Sequence, residues 1–342
     1  MTDTNVEPLI RVRDLKTHFP VGGGFLSKMR GTQQTVHALD GVSFDILPKQ
    51  TLAVIGESGS GKSTTGRSIL RLEEPTSGTV EFRGRDIVSL SAEELRQERK
   101  HMQMVFQNPY SSVNKRNRLV DIIGEPLRVH GVGDKAQRDA KAAELLDLVG
   151  LNPTFLHRYP HEVSGGQLQR VGIARALATG PEFLVADEPT ASLDVSVRAQ
   201  VMNLLKDLKE DLGLSLMFIS HDLAVVSYIA DQIAVMYLGR IVEIGTKHQL
   251  ESNPQHPYTK ALFGAAPKPD PRQRKEHSAP LGEVPNAIKR PSGCFYSPRC
   301  PVATAECFET YPTLETKTAG QQVACHLVTP ADGATVLGIT PV

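Results

Sequence analysis

Three short stretches constrain the fold of this chain more than anything else in it. Leu52-Ala53-Val54-Ile55, Phe183-Leu184-Val185-Ala186 and Leu216-Met217-Phe218-Ile219 are uninterrupted apolar runs. That is the pattern of strands buried on both faces of a parallel sheet. Each ends abruptly in polar residues: Gly56-Glu57-Ser58, Asp187-Glu188 and Ser220-His221-Asp222. In open α/β sheets, ligands bind beyond the carboxyl ends of the strands. Three polar clusters at three strand ends therefore predict one site.

The rest of the chain supplies the other layers. Leu9-Ile10-Arg11-Val12 and Val42-Ser43-Phe44-Asp45-Ile46 alternate, as half-buried strands do, and the span Gly22 to Gln34 between them reads as an inserted loop. Val197, Val201, Leu204, Leu205, Leu208 and Leu212 follow helical spacing, as do Ala142, Leu145, Leu146 and Val149. Residues 110–180 carry mainly helical signals and are expected to form a helical subdomain. Beyond 265, Pro267, Pro269, Pro271, Pro280, Pro285 and Pro291 punctuate a polar, basic stretch that reads as a linker, and a small cysteine-containing module follows.

Composition narrows the class. The 342 residues are 40% hydrophobic, enough for a sizeable core, and at about 150 residues per domain suggest two domains. Lys+Arg 38 balance Asp+Glu 38, which argues against a protein that coats nucleic acid. No apolar run reaches the roughly 18 residues of a membrane span. Met1-Thr2-Asp3-Thr4 lacks the basic and apolar regions of a secretory signal, so a cytosolic location is expected.

Gly56-Glu57-Ser58-Gly59-Ser60-Gly61-Lys62-Ser63 fits the phosphate-binding pattern G-x-x-x-x-G-K-[ST] in full. A buried strand precedes it and a helical run, Thr64 to Leu72, follows. The glycines let successive backbone N–H groups turn toward one anion, and the helix start adds its positive dipole end. Lys62 can reach the β- and γ-phosphates, and the Ser63 hydroxyl can ligate Mg²⁺. Asp187 is placed to hold Mg²⁺ through water, and Glu188 to polarise an attacking water as general base. Val163-Ser164-Gly165-Gly166-Gln167, opening the helical run Leu168–Leu177, is a second anion site. With one triphosphate cradle already in the chain, the second is best explained by ATP shared with another subunit.

Together these residues resemble the ATP-binding subunit of an ABC transporter over about 1–255. The resemblance implies an α/β P-loop NTPase fold with an antiparallel β subdomain and a helical subdomain. ATP is then contacted by Gly56, Ser58, Gly59, Ser60, Gly61, Lys62, Ser63 and Thr64 of this chain. Phe19 matches the aromatic that stacks on adenine, and is alternatively a core aromatic. Gln107 matches the glutamine that senses Mg²⁺ and the membrane subunit, with Ser63 and Asp187 as the other Mg²⁺ residues. Asp194, in Ser192-Leu193-Asp194, matches the loop that communicates across the dimer, and also fits as a helix cap. His221 matches the histidine that contacts the γ-phosphate. Lys62, Glu188 and His221 are thus the implied catalytic residues, and Ser164, Gly165, Gly166 and Gln167 the signature. Val163 departs conservatively from the leucine frequent in the family.

Tyr159-Pro160-His161-Glu162, the run Gln103 to Ser112, and His256-Pro257-Tyr258-Thr259 are similar to the ATPases of dipeptide, oligopeptide and nickel importers. That resemblance implies a C-terminal extension over 256–342 and attachment to the cytoplasmic face of the membrane. It also implies a second, homologous ATPase, two membrane permeases and an external substrate-binding protein as partners. The insertion before Val36 is similar to the second ATPase of such pairs. A soluble ABC ATPase acting on nucleic acid fits less well, given the neutral charge and single cassette.

Cys294, Cys300, Cys307 and Cys325 are spaced C-x5-C-x6-C-x17-C. This lacks the C-x-x-C pairs of zinc ribbons and departs from common ferredoxin spacings. Similar cysteines in the importer ATPases imply a [4Fe–4S] cluster; Zn²⁺ or unligated cysteines are the alternatives.

Overall fold

The computed structural model describes residues 6–21, 34–265, 282, 283, 285–318 and 320–329. The inserted loop, apart from Gln34, and the linker prolines from Pro267 to Pro280 lie outside them. Among the described residues the strands are β1 (Ile10–Val21), β2 (Gln34–Ile46), β3 (Thr51–Ile55), β4 (Ser77–Phe82), β5 (Arg85–Asp86) and β6 (Met102–Val105). There follow β7 (Phe183–Asp187), β8 (Ser215–Ile219), β9 (Gln232–Tyr237), β10 (Arg240–Thr246), β11 (Glu315–Thr318) and β12 (Gln321–Val323). The helices are α1 (Lys62–Ile69), α2 (Ala92–Glu98), α3 (Leu119–Val129), α4 (Lys135–Leu148), α5 (Gly165–Leu177), α6 (Val195–Leu212), α7 (Leu223–Ile229), α8 (Lys247–Ser252), α9 (Pro257–Gly264) and α10 (Ala305–Glu309). None is long and apolar enough to cross a membrane.

These elements form two compact units. The first takes residues 45–51 and 81–220, with the described residues up to Ile10. Its sheet is parallel: Met102 pairs with Phe183, Val105 with Ala186, and Ala186 with Phe218. Every residue of β7 and β8 is buried, as their apolar runs predict. The expected helical subdomain is α3, α4 and α5. Reciprocal capping boxes start two of these helices, Asp134 with Gln137 on α4 and Ser164 with Gln167 on α5. Ala142, Leu145, Leu146 and Val149 are all buried. On α6, Val201, Leu205 and Leu208 are buried, and Met202 joins them, but Leu212 is exposed. The helix stops one residue later at Gly213 (φ 65°), so the apolar stripe ends a turn earlier than its spacing suggests.

The second unit takes 11–44, 52–80 and 221 onward. Here β3 and β9 are parallel, whereas β9–β10, β10–β12 and β12–β11 are antiparallel. The fully buried β3 is followed by a loop over 56–61 and then by α1. That helix begins at Lys62 and ends at Ile69, earlier at both ends than the apolar pattern suggests. The reason for its early stop is a Schellman turn: Arg71 is left-handed (φ 51°), and Leu72 N–H bonds the Arg67 carbonyl at 2.8 Å. The segment after 256 is not a separate compact unit. Tyr258, Phe295 and Tyr296 share one apolar cluster with Ala53, Ile55, Val235 and Tyr237.

Candidate functional site

The loop between β3 and α1 is shaped by three left-handed glycines. A Cβ on Gly56 (φ 152°) would lie 2.2 Å from the Met236 carbonyl oxygen, and one on Gly61 (φ 101°) 2.4 Å from that of Ala38. A Cβ on Gly59 (φ 78°) would meet nothing within 4 Å, so that side of the loop is open. Gly61 caps α1 without a side-chain acceptor, so no cap competes for the amides of the first helical turn. Lys62 is buried, and its ammonium donates to the Gly56 and Glu57 carbonyls at 2.8 and 2.9 Å and to Ser60 Oγ at 3.4 Å. Ser63 and Thr64 are half-buried on the first turn. The same unit holds Phe19, exposed near the end of β1, and His221, exposed just before α7, which Asp222 caps.

The first unit carries the acidic pair. Asp187 ends β7 and is 2% exposed. Glu188 turns the chain in a left-handed conformation (φ 44°), its N–H bonding the Ile219 carbonyl at 3.0 Å. Its carboxylate accepts from Gln107 Nε2 at 2.7 Å, so the structure brings these two predicted residues together. Ser164 and Gln167 spend their side chains on each other's backbone N–H. Gly165 has open space where a Cβ would stand, whereas a Cβ on Gly166 would lie 2.3 Å from Val197 Cγ1. Packing against α6 therefore explains the second signature glycine. Asp194 occupies the N-cap of α6 but makes no capping bond, which leaves its exposed carboxylate outside the helix. Sequence reasoning missed the ties between α5 and the segment around Gln107. Gln169 donates to the Phe106 carbonyl at 3.4 Å, and Arg175 donates to that of Ser112.

In the second unit, Cys294, Cys300, Cys307 and Cys325 line one cavity with His256 and Tyr296. Each sulfur has a hydrogen-bonding neighbour. Tyr296 N–H serves Cys294, Val302 N–H serves Cys300, and Leu327 and Val328 N–H serve Cys325. Thr304 Oγ1 lies 3.4 Å from Cys307 Sγ. Burial pushes the Cys294 thiol up to about 11 and raises Cys300 and Cys325 as well. Among the described residues, His18, His37 and Asp40 also bring one ligand atom each within 4.8 Å of one another. The His18 trio is an ion network, because Arg240 and Arg290 both pair with Asp40, at 2.7 and 2.8 Å.

The most consequential residues missed from the sequence join this module to the phosphate loop. Arg299 donates to both Glu57 carboxylate oxygens, at 2.8 and 3.0 Å, and to Tyr237 Oη at 3.1 Å. Glu57 N–H donates to Tyr258 Oη at 2.8 Å. Glu243, fully buried, accepts from Gln255 N–H, His256 N–H and Gln321 Nε2. Burial drives His256 down to about 3, so its neutral Nδ1 accepts the Tyr258 N–H and caps α9. The only sequence cue was the His256–Thr259 tetrad.

Comparison with known proteins identifies the family. Residues 39–191 match the family described as "ABC transporter", and residues 242–307 match "Oligopeptide/dipeptide transporter, C-terminal region". The oligopeptide transport ATP-binding protein AppF of Bacillus subtilis is 47% identical over 96% of this chain and 99% of its own length. The chain belongs to the ABC transporter ATP-binding family. Another relative of this ABC ATPase, the dipeptide transport ATP-binding protein DppF of Haemophilus influenzae, is 49% identical over 93% and 96% of the two chains. Among solved structures, a dimeric ATP-binding cassette in a post-hydrolysis state with ADP and Pi aligns at TM-score 0.61 and 28% identity. That alignment covers 69% of this ABC ATPase and 98% of the neighbour.

Proposed function

We propose that this chain is an ATP-hydrolysing motor subunit of a peptide importer, attached to the cytoplasmic face of the cell membrane. The observation that carries the reading is end-to-end similarity to peptide-transport ATPases, through both the cassette and the extension. The working assembly pairs this chain with a second, homologous ATPase. Two permeases and an external substrate-binding protein complete it.

Phe19 stacks on adenine, and the loop from Gly56 to Thr64 holds the phosphates. Ser63, Asp187 and Gln107 are the residues that would hold Mg²⁺, which neutralises phosphate charge when bound. Glu188 orients the attacking water, and Lys62 and His221 stabilise the developing charge on the γ-phosphate. Ser164 to Gln167 serve the nucleotide bound by the partner ATPase, and Asp194 faces across that interface. Closure favoured by ATP and reopening after hydrolysis shift the permeases between two states.

The four cysteines hold a [4Fe–4S] cluster with a structural role. A cavity lined by four hydrogen-bonded sulfurs supports this, since a small module gains folding free energy from such a centre. Iron and acid-labile sulfide are expected in anaerobically purified protein. One equivalent of zinc without iron refutes the cluster. For the whole reading, the test is the complex reconstituted in vesicles: peptide-loaded binding protein should stimulate ATP hydrolysis and peptide uptake. Hydrolysis that never accompanies uptake refutes the importer.

A further inference from the structure

We propose that Arg299 is a positioning residue through which the four-cysteine module sets the phosphate loop's grip on nucleotide. The proposal rests on ATP binding at the Gly56–Ser63 loop and goes beyond it by assigning the extension a part in that binding.

The path runs through adjacent atoms. Arg299 closes a 3-10 turn, Ser297–Arg299, bracketed by two cavity cysteines. Ser297 N–H bonds the Cys294 carbonyl at 3.0 Å, and Cys300 N–H bonds the Ser297 carbonyl at 3.3 Å. Whatever fixes Cys294 and Cys300 thus fixes the turn that aims Arg299. The guanidinium, 6% exposed, packs near the rings of Tyr237 and Tyr296 and forks onto Glu57 with two charge-assisted bonds. Glu57 is the second residue of the phosphate loop. Its N–H is held by Tyr258, and its carbonyl accepts from Lys62 Nζ at 2.9 Å. Four consecutive links therefore join a cavity cysteine to the lysine of the loop.

The charge matters as much as the geometry. A carboxylate in a triphosphate-binding loop repels its ligand unless a cation neutralises it. Arg299 supplies that cation, and its fork also fixes the direction of the loop backbone. A tie that merely fastened the extension to the cassette would need neither the neutralisation nor the position inside the loop. Arg290, which pairs with Asp40 at 2.8 Å, fastens the extension to the cassette beside the loop rather than within it, since Asp40 N–H reaches Ser60 only through Gly239.

The test is titration of the full-length chain with a fluorescent ATP analogue, with thermal unfolding and metal content measured on every variant. Arg299→Gln is expected to weaken nucleotide binding about tenfold, the scale of one charge-assisted pair. Arg299→Lys should lose less. Adding Glu57→Gln to Arg299→Gln should recover most of the affinity, because the unneutralised carboxylate is then gone. Cys294→Ser should weaken binding when Arg299 is present and add little in the Arg299→Gln background.

If folded Arg299→Gln binds like the parent, the proposal fails. It fails equally if the Glu57→Gln double variant stays as weak as Arg299→Gln, or if the Cys294→Ser and Arg299→Gln losses simply add. Should Arg299→Gln not fold, Arg299→Lys and Glu57→Gln carry the same comparison. A parent chain that binds no nucleotide overturns the functional reading itself, an outcome distinct from these.

Discussion

Gly166 offers the sharpest test of the packing argument. In the signature its lack of a side chain invites the explanation that nucleotide must approach the backbone. The structure supplies a different reason: a Cβ there would sit 2.3 Å from Val197 Cγ1. Ordinary carbon contacts fall near 3.5–4.0 Å, so the overlap exceeds about 1 Å. Valine cannot swing aside cheaply, because a β-branched residue in a helix has one strongly preferred rotamer. Gly166→Ala should therefore destabilise the chain by about 1–3 kcal/mol from overpacking, less up to about 1 kcal/mol of improved helix propensity. Removing the γ-methyls leaves Val197 Cβ as the nearest atom at 3.6 Å, an ordinary contact. In a Val197→Ala background the same glycine change should thus be neutral or stabilising. Gly165→Ala, with nothing within 4 Å, should be tolerated in either background. Urea unfolding of the four-member cycle reads the sign directly. A neutral Gly166→Ala in the parent chain, or no relief from Val197→Ala, refutes the reasoning. Once stability is restored, any remaining loss of hydrolysis in the assembled complex tests the role proposed for the signature at a partner's nucleotide.

Other expectations follow from single contacts. Glu188→Gln should lower turnover of the assembled complex by about 10²–10³-fold while leaving ATP binding intact, and unchanged hydrolysis would remove Glu188 from the chemistry. Tyr258→Phe strips the acceptor from Glu57 N–H and should cost about 1–3 kcal/mol, read as a lower denaturation midpoint. Burial works to raise the Asp40 carboxyl, but bonds and charge from Arg240 and Arg290 hold it below its ordinary value. A depressed carboxyl stabilises the fold above its unfolded value near 3.8 and loses that contribution as pH falls through the folded value. Asp40→Asn should accordingly destabilise the protein at neutral pH and flatten the acid limb below about pH 4, which a pH series of thermal midpoints would show.

The sequence carries its local chemistry openly and its long-range pairings hardly at all. The phosphate loop, the acidic strand end and the Ser164-Gly165-Gly166 helix start are signatures written within a few residues, and each stands where its pattern places it. The buried strands are legible because a parallel sheet demands unbroken apolar runs. The early end of α1 is not, since the left-handed Arg71 carries none of the glycine or asparagine signal that announces such a turn. Gly166 is visible as a glycine, but Val197, its reason, is two elements away. Arg299 and Glu57 are 242 positions apart, and nothing about an arginine before a cysteine foretells its carboxylate. The cysteine spacing is likewise mute on geometry; only folding gathers the four sulfurs around one cavity.

The outer partner of β10 has a practical consequence. Ala324 N–H bonds the Val242 carbonyl at 2.8 Å, and Val323 and Gln322 stand opposite Glu243 and Ile244. A cassette trimmed after Gly264 would lose this sheath and bare a row of amides and carbonyls on a strand that carries Ile241, Val242 and Ile244. Unpaired edges of that kind recruit strands from other molecules. Shortened versions of the chain should therefore clump through β10, a burden the tail removes by covering that edge.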